Sequence, residues 1–187
     1  MRTGAANNHF HAVRFYEDDR SLCRIVSGFV MEGLARQQPA LMIATQPHID
    51  AIVTNLTDAA FDVEQLRNDG ELLLLDARET LATFIVNGQP HPDFFKASAT
   101  RALEQLSRGR TRTIRAYGEM VDVLWKDGQS GAAIKLEMLW NRLANTHDFS
   151  LLCGYAMGQF YKNANIDDVC RHHTHMVSDS GEAARLS

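Results

Sequence analysis

Three consecutive carboxylates, Glu17-Asp18-Asp19, follow Tyr16 and precede Arg20-Ser21, where the chain passes from an extended to a helical pattern. In many α/β proteins the loop at this place is glycine-rich. It holds phosphate on backbone N–H groups at a helix N-terminus, and a lysine supplies positive charge. Here neither glycine nor lysine is present, and acids stand where a triphosphate needs cations. Such a turn suits a small polar or cationic ligand, or a peptide from a partner. Residues of similar chemistry recur at Thr45-Gln46, Asp76-Ala77-Arg78, Tyr117-Gly118-Glu119 and Tyr155, while His11 and Arg14 lie just upstream of the acidic turn. The candidate ligand- or partner-binding residues are therefore His11, Arg14, Tyr16, Glu17, Asp18, Asp19, Arg78, Tyr117, Glu119 and Tyr155. Asp18 or Asp19 also has a plain structural use as a helix N-cap.

Phosphoryl transfer without a phosphate-binding lysine lacks its main charge stabilisation, so no catalytic residue is assigned. The alternative is a nucleotide- or metal-binding switch, or an enzyme, that uses Glu119 and the neighbouring acids with a divalent ion. Cys170, His172, His173 and His175 form a histidine-rich cluster in which Cys170 and His173, three apart, share one face of a helix. A stable zinc site needs three or four ligands, and His147 or Cys153 could join only through the tertiary fold, so no metal or cofactor is assigned. Arg108, Arg110, Arg112 and Arg115 make a short basic run. With a net charge of −4, it reads as a solvated edge or a contact for an acidic partner rather than a nucleic-acid site. Hydrolase elbows, zincin helices and paired CxxC motifs are absent from the sequence.

The elements that must position these residues alternate. Val13–Phe15 reads as a strand, and Leu22, Ile25, Val26, Phe29, Val30, Gly33 and Leu34 then form a helical stripe. Ala40–Ala44 and Leu72–Leu75 are wholly apolar runs, as suits strands buried on both faces of a parallel sheet. A helix opens at Pro47, another spans Ala77–Val86 and stops at Asn87-Gly88, and Pro92–Leu106 makes a further one that ends near Gly109. Thr113–Ala116 and Phe149–Tyr155 read as strands around a helix over Ser130–Leu143. A last helix is expected over Asn165–His175, with fraying from Ser178 to Ser187. Strand–helix alternation with crossovers of this length implies a three-layer α/β/α sandwich with a mainly parallel sheet. Its strand carboxyl ends would gather the candidate residues along one edge.

One domain over residues 9–177 is expected, with flexible segments at 1–8 and 178–187. Neither an apolar run of membrane-spanning length nor a secretory signal is present, and Cys23, Cys153 and Cys170 suggest no disulfide framework. A cytoplasmic location follows as the expectation.

The segments His11–Asp19, Phe29–Leu34, Leu74–Phe84, Tyr117–Trp125, Leu136–Asn141, Leu151–Tyr155 and Val169–Val177 together resemble the MEDS domain. That is a sensory module of a dichloromethane-responsive regulator and of methanogen and methylotroph proteins. The resemblance runs over residues 9 to 177 and ends near the Cys-x-x-His of the family. It implies a fold like that of the RecA and KaiC P-loop ATPases with eroded nucleotide motifs. It also implies a non-catalytic sensory or adaptor role with a histidine kinase or response regulator as partner, a small-molecule ligand, or both. No kinase or helix-turn-helix segment follows, so the output would pass through another protein. Self-association into a homo-oligomer is a further use of the same helix surfaces.

Overall fold

The computed structural model describes residues 9–108, 112–159 and 166–186. Strand β1 (His11–Tyr16) leads into α1 (Asp19–Ala35), whose N-cap is Asp18, its carboxylate accepting from the Ser21 amide at 2.8 Å. Then come β2 (Ala40–Ala44), α2 (Gln46–Asp58), α3 (Val63–Asn68) and β3 (Leu72–Asp76). The Asp76 carboxylate caps α4 (Ala77–Ala82) by accepting from the Arg78 and Glu79 amides. A small hairpin of β4 (Ile85–Val86) and β5 (Gln89–Pro90) precedes α5 (Pro92–Ser107). β6 (Ile114–Gly118), α6 (Met120–Lys126), α7 (Ser130–Leu143) and β7 (Phe149–Ala156) follow, then α8 (Ile166–Cys170), β8 (His175–Val177) and β9 (Ala183–Arg185).

The main sheet runs β3-β2-β6-β7-β1-β8-β9, and every pairing is parallel except β8 with β9. From β1 to β3 the chain travels toward one edge and lays α1, α2 and α3 on one face. It then returns through β6, β7 and β8 with α4 to α8 on the other, as right-handed crossovers require. Alternation along the strands divides their side chains between two cores. Ala12 and Tyr16 of β1 pack with Leu22, Val26 and Ile52 under α1 and α2. Val13 packs with Leu103, Leu136 and Trp140 under α5 and α7, where Trp140 meets Phe95 edge-on at 5.0 Å. The sandwich and its parallel sheet are thus as the alternating pattern implies.

Three local readings change. The helix expected over Ala77–Val86 ends at Ala82, because Asn87 (φ 51°) and Gly88 (φ 74°) form the two-residue turn of a hairpin. The helix expected over Asn165–His175 keeps only Ile166–Cys170 among the described residues. His175 instead joins β8, where it pairs with Ala12. The segment expected to fray from Ser178 returns as β9, antiparallel to β8 with Val177 opposite Ala183. Residues 1–8, Gly109, Arg110, Asn165 and Ser187 lie outside the described residues.

Candidate functional site at the strand carboxyl ends

The connections after β1 and β2 leave toward one face, and those after β6 and β7 toward the other. Crevices between such strands, beyond their carboxyl ends, are where open α/β sheets hold ligands. In this chain two buried carboxylates fill that place. Glu119 follows β6. Its Oε1 accepts from the Thr45 amide at the end of β2, and its Oε2 lies 2.6 Å from Nδ1 of His48 and accepts from the Tyr117 hydroxyl at 3.0 Å. Asp122, on α6, spans the neighbouring crevice. It accepts from the Ala156 amide (2.9 Å) at the end of β7 and from the Tyr16 hydroxyl (2.8 Å) at the end of β1, and it pairs with Lys126 at 2.7 Å.

Both nitrogens of His48 face carboxylates, Glu119 on one side and Asp19 (3.3 Å) on the other. Its pKa is accordingly raised, chiefly by the bond to Glu119 and against the opposing effect of burial. Burial would push the Glu119 carboxyl up, but the bonds from His48 and Thr45 hold it below its ordinary value. Burial, then the Asp122 carboxylate, push the Tyr16 phenol up, so it remains a donor. The edge is a set of closed ion pairs rather than a vacant cation site.

Of the residues singled out in the sequence, the fold gathers Tyr16, Tyr117, Glu119 and Asp19 at this edge. Glu17 and Asp18 flank them on the exposed turn. Arg78 is exposed on α4, paired with Asp127 at 2.9 Å. Arg14 is buried on the α1 face, bonded to the Val177 carbonyl (3.2 Å) and to Asp179, and so ties β1 to the β8–β9 turn. His11 and Tyr155 face the other way, toward α7, and both meet Glu137. Of the basic run, Arg112 forks onto Glu71 (2.8 and 3.0 Å), Arg115 bonds Gln38, and Arg108 reaches the Asn68 carbonyl. Arg110 lies outside the described residues. These contacts tie loops together inside the chain.

Sequence reasoning did not single out Asp122, His48, Lys126 or Glu137. Asp122 sits within Met120-Val-Asp-Val-Leu124, and Glu137 within the stripe Ala133, Leu136 and Trp140 of α7. A carboxylate on an apolar face is the signal that marks both, since burying a charge is costly unless it is paired.

A second feature lies on the α1 face, away from the strand ends. A groove of about 570 Å³ runs between α1 and the β8–β9 hairpin. Ile25, Phe29, Leu152 and Val177 supply apolar surface, Arg24 and Arg115 add two guanidinium groups, and Glu32 adds a carboxylate 3.5 Å from Nη1 of Arg115. Arg115 stacks over Phe29 at 4.8 Å, and Arg24 donates to the Asp179 carbonyl at 2.8 Å. The volume falls within the range of small-molecule sites.

Residues 10–174 match the family described as MEDS, the methanogen/methylotroph, DcmR sensory domain. The chain is a member of the MEDS family. A search of curated proteins found no match. Among solved structures this MEDS chain is similar to a KaiC-like protein from the hyperthermophilic archaeon Pyrococcus horikoshii OT3. The likeness has 12% identity and a TM-score of 0.60, and it covers 88% of this chain and 70% of that one. The KaiC-like architecture is therefore shared. The residues at the strand ends of this MEDS domain have to be judged by their own chemistry. Among the described residues no helix is long and apolar enough to cross a membrane.

Proposed function

We propose that this MEDS chain is a ligand-binding sensory module that signals through a histidine kinase or response regulator and performs no catalysis of its own. The observation that carries this reading is the closure of the strand carboxyl ends by Glu119 and Asp122. Each carboxylate spends its oxygens on backbone amides and side chains of the same chain. A phosphate group entering there would meet negative charge, and neither glycine nor lysine in the Tyr16–Ser21 turn would receive it. The groove beside α1 is the better receptor. Its apolar surface suits a small molecule with an apolar body, and Arg24, with Arg115 shared by Glu32, can receive an anionic head.

Occupancy could be relayed through the β8–β9 turn. That turn bears on Arg24 of α1 and Arg14 of β1 through Asp179. A ligand shifts such an arrangement only as far as it binds one state better than the other. The exposed Glu17 and Asp18, in the turn that precedes α1, offer a partner its contact.

Thermal melts with a panel of short aliphatic and aromatic carboxylates, each beside its neutral amide, test the reading. A carboxylate present at a hundred times its Kd adds about 2.7 kcal/mol, a Tm rise of roughly 5–10 °C for a chain of this size. Gly28 opens on the groove, and a Cβ there meets nothing within 4 Å, so Gly28→Phe fills the groove without a clash at its root. The shift should vanish in that variant. A shift that survives Gly28→Phe would remove the groove from the account.

A further inference from the structure

His11, Glu137, Cys153 and His173 come together in the core between the sheet and α7, and all four are buried. We infer that these four side chains form a tetrahedral zinc site, distinct from the strand-end carboxylates and independent of the sensory reading above. One ligand atom from each lies within 4.8 Å of all the others. Nε2 of His11 is 3.2 Å from Oε2 of Glu137 and 3.5 Å from Sγ of Cys153. Nε2 of His173 is 3.3 Å from Oε1 of Glu137, and the sulfur is 3.6 Å from Oε2. With zinc bonds of about 2.0–2.1 Å to nitrogen and oxygen and about 2.3 Å to sulfur, a tetrahedron has N···O edges of about 3.3 Å and edges to sulfur of about 3.6 Å. The three edges among His11, Cys153 and Oε2 of Glu137 already have those lengths, and His173 meets the other oxygen of the same carboxylate with its ligand atom within 4.8 Å of the rest.

The tautomers point the same way. Asn141 donates its amide N–H to the His172 carbonyl at 2.9 Å, which turns its oxygen toward Nδ1 of His11, also at 2.9 Å. Nδ1 of His173 faces the Val169 carbonyl at 2.8 Å. A carbonyl can only accept, so each ring carries a proton on Nδ1 and turns its Nε2, the nitrogen left to bind a metal, inward. Outer carbonyl partners fix metal-binding histidines in this way. Nε2 of His173 has no hydrogen-bond partner, and the ring is fully buried. Two Nε2 atoms, a carboxylate and a sulfur that face one another in the core call for positive charge between them, which protons supply in the metal-free chain and a dication supplies in their place. A dication with one thiolate and one carboxylate leaves the set neutral, which removes the cost of isolated buried charge. The Tyr155 hydroxyl, donating to Oε1 of Glu137 at 2.7 Å, orients the carboxylate from outside. The ligands come from β1, α7, β7 and the segment after α8, so the ion would clamp the start of the β8–β9 hairpin to the core. Binding replaces the Cys153 thiol proton with a zinc–sulfur bond, and that proton leaves to solvent.

The test uses the full chain with Zn²⁺, and with Co²⁺ as a visible probe. The site predicts one zinc per chain, a Tm that falls on chelation, and release of about one proton per zinc bound. Cobalt should give intense visible bands of a tetrahedral ion and a near-ultraviolet thiolate charge-transfer band. Cys23 and Cys170 lie outside the cluster, so a Cys23→Ala/Cys170→Ala variant must keep that band, whereas Cys153→Ser must lose it. Tyr155→Phe, which leaves all four ligands in place, should weaken zinc binding by about 10–100-fold. The site is overturned if no stoichiometric metal is held, or if cobalt binds without a thiolate band. Survival of the band in Cys153→Ser would overturn it equally.

Discussion

Asp122→Ala is the change that most sharply separates a sealed strand edge from an open one. The residue is 2% exposed, and its carboxylate accepts two hydrogen bonds, from the Ala156 amide at 2.9 Å and from the Tyr16 hydroxyl at 2.8 Å. Bonds to a charged acceptor contribute about 1.5–3 kcal/mol each. Removing the carboxylate also leaves both donors unpaired between β1 and β7. The Lys126 partner is 39% exposed and regains water, so that ion pair adds about 1 kcal/mol or less. The expected loss is about 3–5 kcal/mol, a large share of the roughly 5–15 kcal/mol that folds a domain. Asp122→Asn keeps an acceptor for Ala156 but turns an N–H₂ toward Tyr16 and Lys126, and should cost about 1–3 kcal/mol. Lys126→Met should cost about 1 kcal/mol or less. Urea unfolding followed by far-ultraviolet circular dichroism measures all three against the parent chain. An Asp122→Ala loss within about 1 kcal/mol of the parent, or a Lys126→Met loss as large as that of Asp122→Ala, would mean that Asp122 does not seal the edge.

The Glu119–His48 pair gives stability a definite pH dependence. His48 has a folded pKa raised above its usual 6.5, so its contribution is complete below that value and is lost as pH rises through the folded pKa. Glu119 has a folded pKa held below its usual 4.5, so its contribution is complete above that value and is lost as pH falls through the folded pKa. The penalty of His48→Gln should therefore be greatest between 4.5 and 6.5 and shrink in alkali, which paired urea melts at acid, neutral and alkaline pH will show. Gly154 faces Tyr117, and an added Cβ would stand 2.9 Å from the phenol oxygen and 3.3 Å from Cδ1 of Leu22. That oxygen is held by Glu119, so Gly154→Ala should cost about 1–3 kcal/mol. A double-mutant cycle with Tyr117→Phe should return a coupling of about 0.5 kcal/mol or more.

The layers of this fold are legible because their signals are local. Ala40–Ala44 and the Leu72–Leu75 run have the unbroken apolar character of buried parallel strands, and the stripe of α1 predicts its buried face. Asn87-Gly88 reads equally well as a helix stop or a hairpin turn. Only the pairing of Ile85 with Pro90 decides between them. His175 sits beside a helical pattern, yet a long-range pairing with β1 takes it into the sheet. The candidate site is legible in part. Tyr16, Tyr117 and Glu119 meet at the strand ends because turn residues after parallel strands share one edge. His11 and Tyr155 belong to another cluster, because alternation sends odd residues of β1 and β7 to the α7 face. Asp122 and Glu137 were hidden inside apolar stripes, where periodicity marks a face as core without saying which polar group it encloses.

Titration calorimetry of the full chain with Mg-ATP and Mg-GTP decides whether the strand ends are sealed against nucleotide. With Glu119 and Asp122 sealing the strand ends, neither nucleotide should bind, and Glu119→Gln should leave that result unchanged. Micromolar binding that disappears in Glu119→Gln would contradict the account and restore the strand edge as a nucleotide site.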